Sequence, residues 1–329
     1  MPGQVRVVIV TPALADANNG NWRTAQRWGR FLAPLYPTRL VMNWPDGESE
    51  RDQVMIALHA RRSASSIAAW REHQGRRPLA VVLTGTDLYR DIHADAAAQN
   101  SLASADQLVV LQERGLAGLL PEHRAKARVI FQSASERAPR PKTARHLRAL
   151  MVGHLREEKT PSTLFAATRM IDPAENILID HIGAPIDQAL ADMAQATMAL
   201  HPHYRWLGNR AHEETRRRIR DAHVLVHCSQ IEGGSHVILE AAVSGTPVLA
   251  SNIEGNVGLL GETYGGYFPW GDAGELVRLL RDCRASQDDP AARLQSLARQ
   301  IVARAPLFVP ARERLAVRRL VTDLIGVSD

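Results

Sequence analysis

Two acidic residues flank a pair of glycines in the second half of the sequence, and their spacing suits a phosphate-bearing ligand. Glu232 precedes Gly233 and Gly234, and a predicted helix begins at about Ser235. Backbone N–H groups at a helix start are unpaired and carry the positive end of the helix dipole, so this turn can receive a diphosphate. Glu240 lies inside the same helix, where its carboxylate can accept two hydrogen bonds from a ribose diol. The alternative is an ordinary strand-to-helix turn with a surface glutamate.

The neighbouring residues extend this pattern to a known family. Glu232, Glu240, Gly245 and Pro247 resemble the E-x7-E signature, followed by G-x-P-V, of the family 4-like GT-B glycosyltransferases. The resemblance implies that Glu240 binds the ribose of a nucleotide sugar and that Glu232 lies by the donor sugar. It also implies that the backbone of the intervening turn meets the phosphates, which makes four more residues donor-binding candidates: Gly233, Gly234, Ser235 and His236.

A second segment, residues 152–159, follows the first predicted strand of the second domain and is similar to the V-G-R-L-x-x-x-K-G motif of that family. Lys159 matches the diphosphate lysine of the family, a compact cation that can neutralise a leaving nucleotide diphosphate. His154 replaces the family's arginine, so either protonated His154 or Arg156 takes that role. A solvated lysine near a helix start is the alternative. We assign Lys159, Glu232 and Arg156 to catalysis, and Gly153 and His154 to donor binding.

Three further segments follow predicted strands. Gly208 and Asn209 resemble the loop that holds the nucleotide base in the family, although the same residues also suit an ordinary turn. Residues 18–24 lead into a helix at the place of the family's glycine-rich loop, or form a turn with an Asn cap. Residues 84–91 resemble the family's H-G-x-D-type acceptor loop, with Thr84 where a histidine is common. Asp87 is a base, an orienting group or a helix cap, and we favour the last two. The acceptor-binding candidates are Gly20, Asn21, Arg23, Thr84, Thr86, Asp87 and Arg90.

Within the family, four segments are similar to the bacterial selenosugar synthases of selenoneine biosynthesis: 19–28, 83–91, 153–159 and 232–236. That resemblance implies UDP-N-acetylglucosamine as donor and selenophosphate as acceptor, giving a 1-seleno-N-acetylglucosamine, UDP and phosphate. Asn21, Arg23, Arg27 and Arg90 supply donors suited to a small phosphorylated nucleophile. Because the selenium is already anionic, such an acceptor needs little deprotonation by a general base.

Three alternatives remain open. One is a family 4-like enzyme with a sugar, lipid or natural-product hydroxyl as acceptor. A lipid acceptor would favour a basic face with Trp22 and Trp28, for which core packing is the preferred interpretation. The second is a binding protein without catalysis, which Lys159, Glu232 and Glu240 oppose. The third is a GT-B nucleotide-sugar epimerase, which needs no acceptor.

The elements that must position these residues alternate between short β-branched runs and longer helical patterns, as in parallel sheets with covered faces. We expect an α/β protein of the GT-B class, with two Rossmann-like domains facing across a cleft and ligands at the carboxyl ends of the strands. A segment rich in proline and charge, residues 135–142, predicts the linker. The expected domains are 1–140 on the acceptor side, 141–310 for the nucleotide sugar, and a C-terminal helix, 311–329, that crosses back to the first domain. The predicted strands are 5–10, 39–43, 54–59, 79–84, 107–111, 128–131, 147–152, 177–182, 204–207, 224–227 and 247–250.

Composition sets outer bounds on these interpretations. The 329 residues are 45% apolar and 23% charged, which is globular composition. No apolar run approaches the ~20 residues of a spanning helix, and no secretory leader pattern opens the chain, so we expect a cytoplasmic protein without membrane insertion. The net charge of +5 suits an anionic ligand and is too diffuse to indicate nucleic acid. Cys228 and Cys283 are expected to be buried thiols. Because no D-x-D triplet occurs, we expect transfer without a metal or cofactor.

Overall fold

Two parallel six-stranded sheets organise the computed structural model, which describes residues 5–13, 20–73, 77–289 and 291–326. The prediction of an α/β protein with two parallel-sheet domains is confirmed. Asn18 and Asn19 of the segment 18–24 lie outside the described residues. The chain divides into a first unit, Met1–Ser133 with Pro310–Asp329, and a second unit, Ala134–Val309. No described helix is long and apolar enough to cross a membrane.

The first unit contains strands β1 (Val7–Val10), β2 (Thr38–Val41), β3 (Val54–Leu58), β4 (Leu79–Val82), β5 (Gln107–Val110) and β6 (Ala127–Val129). Its helices before the second unit are α1 (Gly20–Leu32), α2 (Ala64–Glu72), α3 (Ile92–Ala94), α4 (Ala96–Ser104) and α5 (Pro121–Arg124). The strands pair in the order β2-β1-β3-β4-β5-β6. Residues of β1, β3 and β4 are buried along their whole length because helices cover both faces of the sheet.

The second unit contains strands β7 (Leu147–Val152), β8 (Ile177–Ile182), β9 (Tyr204–Trp206), β10 (Val224–His227), β11 (Val248–Ser251) and β12 (Tyr267–Phe268). Its helices are α6 (Pro161–Arg169), α7 (Gln188–Leu200), α8 (His212–Asp221), α9 (His236–Ala242), α10 (Glu254–Leu260), α11 (Ala273–Ala285) and α12 (Arg293–Arg304). The strands pair in the order β9-β8-β7-β10-β11-β12, so the sheet is wound outwards in both directions from β7 and β10. This is the strand order of the Rossmann fold.

The last helix, α13 (Pro310–Gly326), returns to the first unit as expected. Its apolar face, which includes Val317, Leu320 and Leu324, packs into the core that holds Trp28 of α1. Trp28 is fully buried, which agrees with core packing and not with a lipid-facing surface.

A buried carboxylate fastens α13 in place. Glu313 accepts hydrogen bonds from Arg27 Nε at 2.7 Å and Nη2 at 2.9 Å, from Trp28 Nε1 at 2.7 Å, and from the Ser133 hydroxyl. The Arg27 guanidinium is therefore committed to the fold, which corrects the expectation that it belongs to the acceptor site.

The boundary between the two units follows Ser133. The proline-rich segment predicts it after residue 140. Ala134 N donates to Phe308 O at 3.0 Å, Arg216 donates to Ser135 O, and Arg137 pairs with Glu213. These bonds tie residues 134–137 to the second unit, although the segment forms no regular element.

We predict that Glu313→Ala lowers the free energy of unfolding by about 3–5 kcal/mol, because it leaves a partly buried arginine and a buried indole N–H without their acceptor. Denaturant titration followed by tryptophan fluorescence measures the loss. Arg314→Ala, at an exposed position of the same helix, is the control and should change stability by less than about 0.5 kcal/mol. Equal midpoints for the two variants would contradict the role of Glu313.

Candidate functional site

Strands β7 and β10 are neighbours in the second sheet, and the chain leaves them in opposite directions across the sheet. In open α/β sheets such a reversal opens a crevice beyond the carboxyl ends of the two strands. Lys159 follows β7 and Glu232 follows β10, so the topology brings these two predicted residues to one place.

The two side chains form a short ion pair between Lys159 Nζ and Glu232 Oε1. His227, the last residue of β10, places Nε2 at 3.2 Å from the same oxygen. All three side chains are largely buried, with exposed fractions of 16% for Lys159, 10% for Glu232 and 2% for His227. Burial alone would raise the pKa of Glu232, but Lys159 and His227 outweigh it and hold that pKa well below its usual range. The site therefore contains a buried carboxylate that stays ionised.

Two glycines allow the backbone to close around this pair. A Cβ on Gly255 would lie 1.9 Å from the carbonyl oxygen of Glu232, and a Cβ on Gly183 would lie 1.9 Å from that of Gly153. No larger residue fits either contact without backbone movement. Gln230 N also donates to Glu158 O at 2.9 Å, which joins the loops that follow β10 and β7.

Two histidines support the turn after β7. Because a carbonyl can only accept, His181 Nε2–H donates to Gly153 O at 3.1 Å, and Nδ1 accepts from the Tyr204 hydroxyl at 3.1 Å. Burial lowers the pKa of His181 to about 4, so its ring is neutral. His154 Nδ1 accepts from Ala184 N at 3.0 Å, and protonation of that nitrogen would break this bond. The geometry thus disfavours a cationic role for His154.

A second carboxylate, Glu240, lies 3% exposed in helix α9. His212 Nε2 donates to its Oε1 at 2.6 Å, and Arg216 Nε lies 3.9 Å from that oxygen. The Arg216 guanidinium also donates to Ser135 O at 2.5 Å. No spacing in the sequence connects His212 with this carboxylate. His203 and His223 each bond to a backbone carbonyl, that of Thr168 at 3.1 Å and that of Thr143 at 2.8 Å, which agrees with a structural role.

The remaining donor candidates line the same edge of the second sheet. Gly233 and Ser235 are buried, Gly234 and His236 are partly exposed, and Ser235 is the residue that precedes helix α9. Gly208 adopts a left-handed φ of +68° after β9, and its carbonyl accepts from Gly183 N at 3.0 Å. The neighbouring Asn209 is exposed. Arg156 is 48% exposed and its Nε lies 3.8 Å from Glu158, so the structure does not bring its guanidinium onto Glu232.

In the first unit, Asp87 fastens two loops together. Its Oδ1 accepts from Thr84 N at 2.8 Å and Gly85 N at 2.9 Å, and its Oδ2 accepts from Ala60 N at 3.0 Å. Asp87 is fully buried. A carboxylate whose oxygens both accept from backbone N–H groups is an anchor for the loops that follow β3 and β4, and its lone pairs are poorly placed to accept a substrate proton.

Sequence reasoning missed His59, which directly follows β3 at the point where the first sheet reverses its strand order. His59 is 3% exposed and has a left-handed φ of +73°, which is unusual for a residue with a Cβ. Its Nδ1 accepts from Arg62 N at 3.3 Å and its Nε2–H donates to Thr86 Oγ1 at 3.1 Å. Burial lowers the pKa of His59 and the nearby Asp87 opposes the shift. The feature that could have identified His59 is its position at the end of a predicted strand, where the strand order of the sheet reverses.

The other acceptor candidates are more exposed. Gly20 begins helix α1, with Asn21 and Arg23 in its first turn at intermediate exposure. Arg90 is 55% exposed and places Nε 3.2 Å from Asp91. Thr84 is partly buried beside Asp87. Within the described ranges, no three His, Cys, Asp or Glu side chains are grouped so as to hold a metal ion.

Both cysteines are buried free thiols, as expected. Burial raises the pKa of each to about 12, so neither is a thiolate at neutral pH.

Comparison with known proteins connects this geometry to a family. A profile described as glycosyl transferases group 1 matches residues 133–300, which is half of the chain and spans both candidate donor segments. A search of curated protein sequences found no significant match.

Several solved structures share the fold at low sequence identity. A sucrose-phosphate synthase from Thermosynechococcus elongatus aligns with a TM-score of 0.76 and 17% identity over 98% of this chain and 100% of its own. Anabaena HepE in complex with UDP-glucose aligns with a TM-score of 0.75 and 13% identity over 97% and 99%. TarM from S. aureus, in complex with UDP and other ligands, aligns with a TM-score of 0.64 and 12% identity over 82% of this chain, which spans 55% of TarM. These likenesses establish the fold as that of GT-B glycosyltransferases.

We predict that Gly255→Ala destabilises the second unit by about 1–3 kcal/mol, since its methyl group would displace the Glu232 carbonyl. Chemical denaturation measures the effect. Gly274→Ala is the control, because a Cβ there meets its nearest atom, Asp272 Oδ1, at 3.4 Å and lies at the start of helix α11. If Gly255→Ala is as stable as Gly274→Ala, the close approach is not a constraint on the turn.

Proposed function

This chain belongs to the group 1 glycosyl transferases, and from that premise we propose that it transfers N-acetylglucosamine from UDP-N-acetylglucosamine to selenophosphate. The observation that carries the donor half of the proposal is the Lys159–Glu232 pair at the strand-order reversal of the second sheet. A nucleoside diphosphate is the anion that a lysine at this edge of a Rossmann-type sheet suits. HepE with UDP-glucose and TarM with UDP support a UDP-sugar as donor.

The donor contacts lie on the loop after β7, the loop after β10 and helix α9 in this proposal. Glu240 binds the ribose hydroxyl groups, the backbone of Gly233 and Gly234 meets the diphosphate, and Glu232 orients the sugar. Lys159 neutralises the charge that builds on the leaving UDP. Since Lys159 pairs with Glu232, it shares its ammonium with, or moves to, the diphosphate when the donor binds.

The acceptor half rests on the first unit. Asp87 is occupied by backbone N–H groups, so it suits an orienting role better than that of a base. An acceptor that is already anionic at its nucleophilic atom fits such a loop, and selenophosphate is one. Asn21, Arg23 and Arg90 supply donors for its phosphate group. The resemblance of segments 83–91 and 153–159 to the selenosugar synthases supports the same acceptor.

The proposed reaction balances in two steps. The selenium anion attacks the anomeric carbon, a C–Se bond forms and the C–O bond to UDP breaks. Water then cleaves the Se–P bond, which releases phosphate and leaves the 1-seleno sugar. Neither step requires a metal ion, and the lack of a D-x-D triplet supports metal-independent transfer.

A hydroxyl acceptor is the second candidate, and His59 is the observation that favours it. The His59 imidazole lies 3.1 Å from the Thr86 hydroxyl at the edge of the same loop, and burial lowers the pKa of His59. To accept the proton of a hydroxyl nucleophile, His59 would use Nδ1, which receives only a long hydrogen bond of 3.3 Å from Arg62 N.

The deciding experiment incubates the protein with UDP-N-acetylglucosamine or UDP-glucose, each with selenophosphate, with thiophosphate and without acceptor, and identifies products by mass. We expect a seleno sugar, UDP and phosphate from UDP-N-acetylglucosamine and selenophosphate, unchanged in EDTA. Turnover with hydroxyl compounds alone would establish the second candidate. Conversion of the UDP-sugar to an isomer without acceptor would show an epimerase, and activity restored by Mg²⁺ after EDTA would refute metal independence.

We predict that Lys159→Ala lowers kcat by about 10²–10³-fold, the effect of removing one donor that stabilises charge in the transition state. Steady-state kinetics measure the loss, and thermal melting separates it from misfolding. Arg169→Ala, an exposed charge in helix α6, is the matched control with unchanged kcat. Full activity of Lys159→Ala together with inactivity of Arg156→Ala would transfer the leaving-group role to Arg156.

A further inference from the structure

We infer that His227 is a positioning residue that takes over the buried Glu232 carboxylate when Lys159 turns to the donor diphosphate, and that donor binding therefore takes up a proton from solvent. This inference rests on the proposed function, because it needs a diphosphate that competes for Lys159. It concerns a residue that the mechanism above does not use.

The geometry places His227 and Lys159 on one oxygen. Glu232 Oε1 receives Lys159 Nζ in a short contact and has His227 Nε2 at 3.2 Å. His227 Nε2 is fully buried and makes no well-formed hydrogen bond. The ring thus lies within reach of the carboxylate, while Lys159 makes the closer contact.

An ionised carboxylate cannot be left alone in this environment. The Glu232 side chain is 10% exposed, and removing the cation that pairs with a buried carboxylate is strongly unfavourable. When Lys159 turns to the diphosphate, an unsupported Glu232 would oppose the move and weaken donor binding. A histidine fixed at the end of β10 can compensate without displacing any backbone, because its Nε2 already lies at hydrogen-bonding distance from Oε1.

The charged groups near His227 determine whether donor binding takes up or releases a proton. While Lys159 pairs with Glu232, burial lowers the pKa of His227, Glu232 raises it and Lys159 lowers it. The adjacent Cys228 thiol, whose pKa burial raises to about 12, carries no charge in the neutral range. When Lys159 moves towards the diphosphate, its positive charge no longer lowers the pKa of His227 as strongly. The negative charge of the diphosphate raises that pKa further. The pKa of His227 is therefore higher in the donor complex, and binding strengthens as the pH falls between the two values.

Calorimetric titration with UDP-N-acetylglucosamine in two buffers of different ionisation enthalpy tests the inference. The sugar diphosphate has no ionisation of its own in the neutral range, so the difference in heat counts protons taken up by the protein. We expect uptake of up to about one proton near pH 6–7, the range in which histidine titrates. His227→Asn and His227→Gln keep an amide donor but cannot be protonated, and both should abolish the uptake and flatten the pH dependence of donor affinity.

His212→Asn is the matched control, because His212 contacts the other carboxylate of the site. Persistence of the proton uptake in both His227 variants, or its loss only in His212→Asn, overturns the inference while leaving the proposed function intact. Absence of heat and of turnover with every UDP-sugar overturns the proposed function and this inference with it. Thermal melting confirms that the variants are folded. A purely structural His227 would alter the melting temperature without altering the proton count.

Discussion

The constraint on which the second unit depends is the buried charge of Glu232. A carboxylate beyond β10 needs a cation within reach, and the loop that follows the adjacent strand β7 delivers one over a short path. Lys159 occupies that loop, and glycines at 183 and 255 let the backbones approach closely enough for the pair to form. Three features bring Lys159 close to Glu232: the Rossmann-type strand order, the two glycines, and the backbone hydrogen bond from Gln230 N to Glu158 O.

In both sheets an imidazole and a carboxylate lie where the strand order reverses, but the two carboxylates have different kinds of partner. Asp87 of the first unit is held by three backbone N–H groups, which no ligand can displace without unfolding the loops. Glu232 is held by side chains, one of them a flexible lysine that an incoming anion can attract. The first arrangement is a fixed support. The second is an exchangeable one, which suits the proposed binding and release of a nucleotide diphosphate.

The alternating pattern of the sequence predicted most of this framework for a physical reason. Strands buried on both faces are runs rich in apolar residues, so β7, β8 and β10 were placed at their observed bounds although each contains a charged residue or a histidine. The two-residue strand β12 and helix α10, which contains Gly255 and Gly258, lack any such run and were missed. The acids and the lysine of the donor site follow from spacing along one segment. Their partners His212 and His227 do not, since contacts between separate elements depend on how α8 and β10 pack against α9 and the turn.

The path of the chain through the first unit carries a further consequence. Helix α13 belongs to the first unit, while residues 134–309 form the second, and Ala134 N bonds Phe308 O at 3.0 Å. The second unit is thus an insertion into the first, and the residues at its two ends lie next to each other. Such a unit can be exchanged as a cassette between related chains with two nearby junctions. A fragment that ends at residue 133 would lack α13, and the core of the first unit would lose the apolar face that this helix contributes.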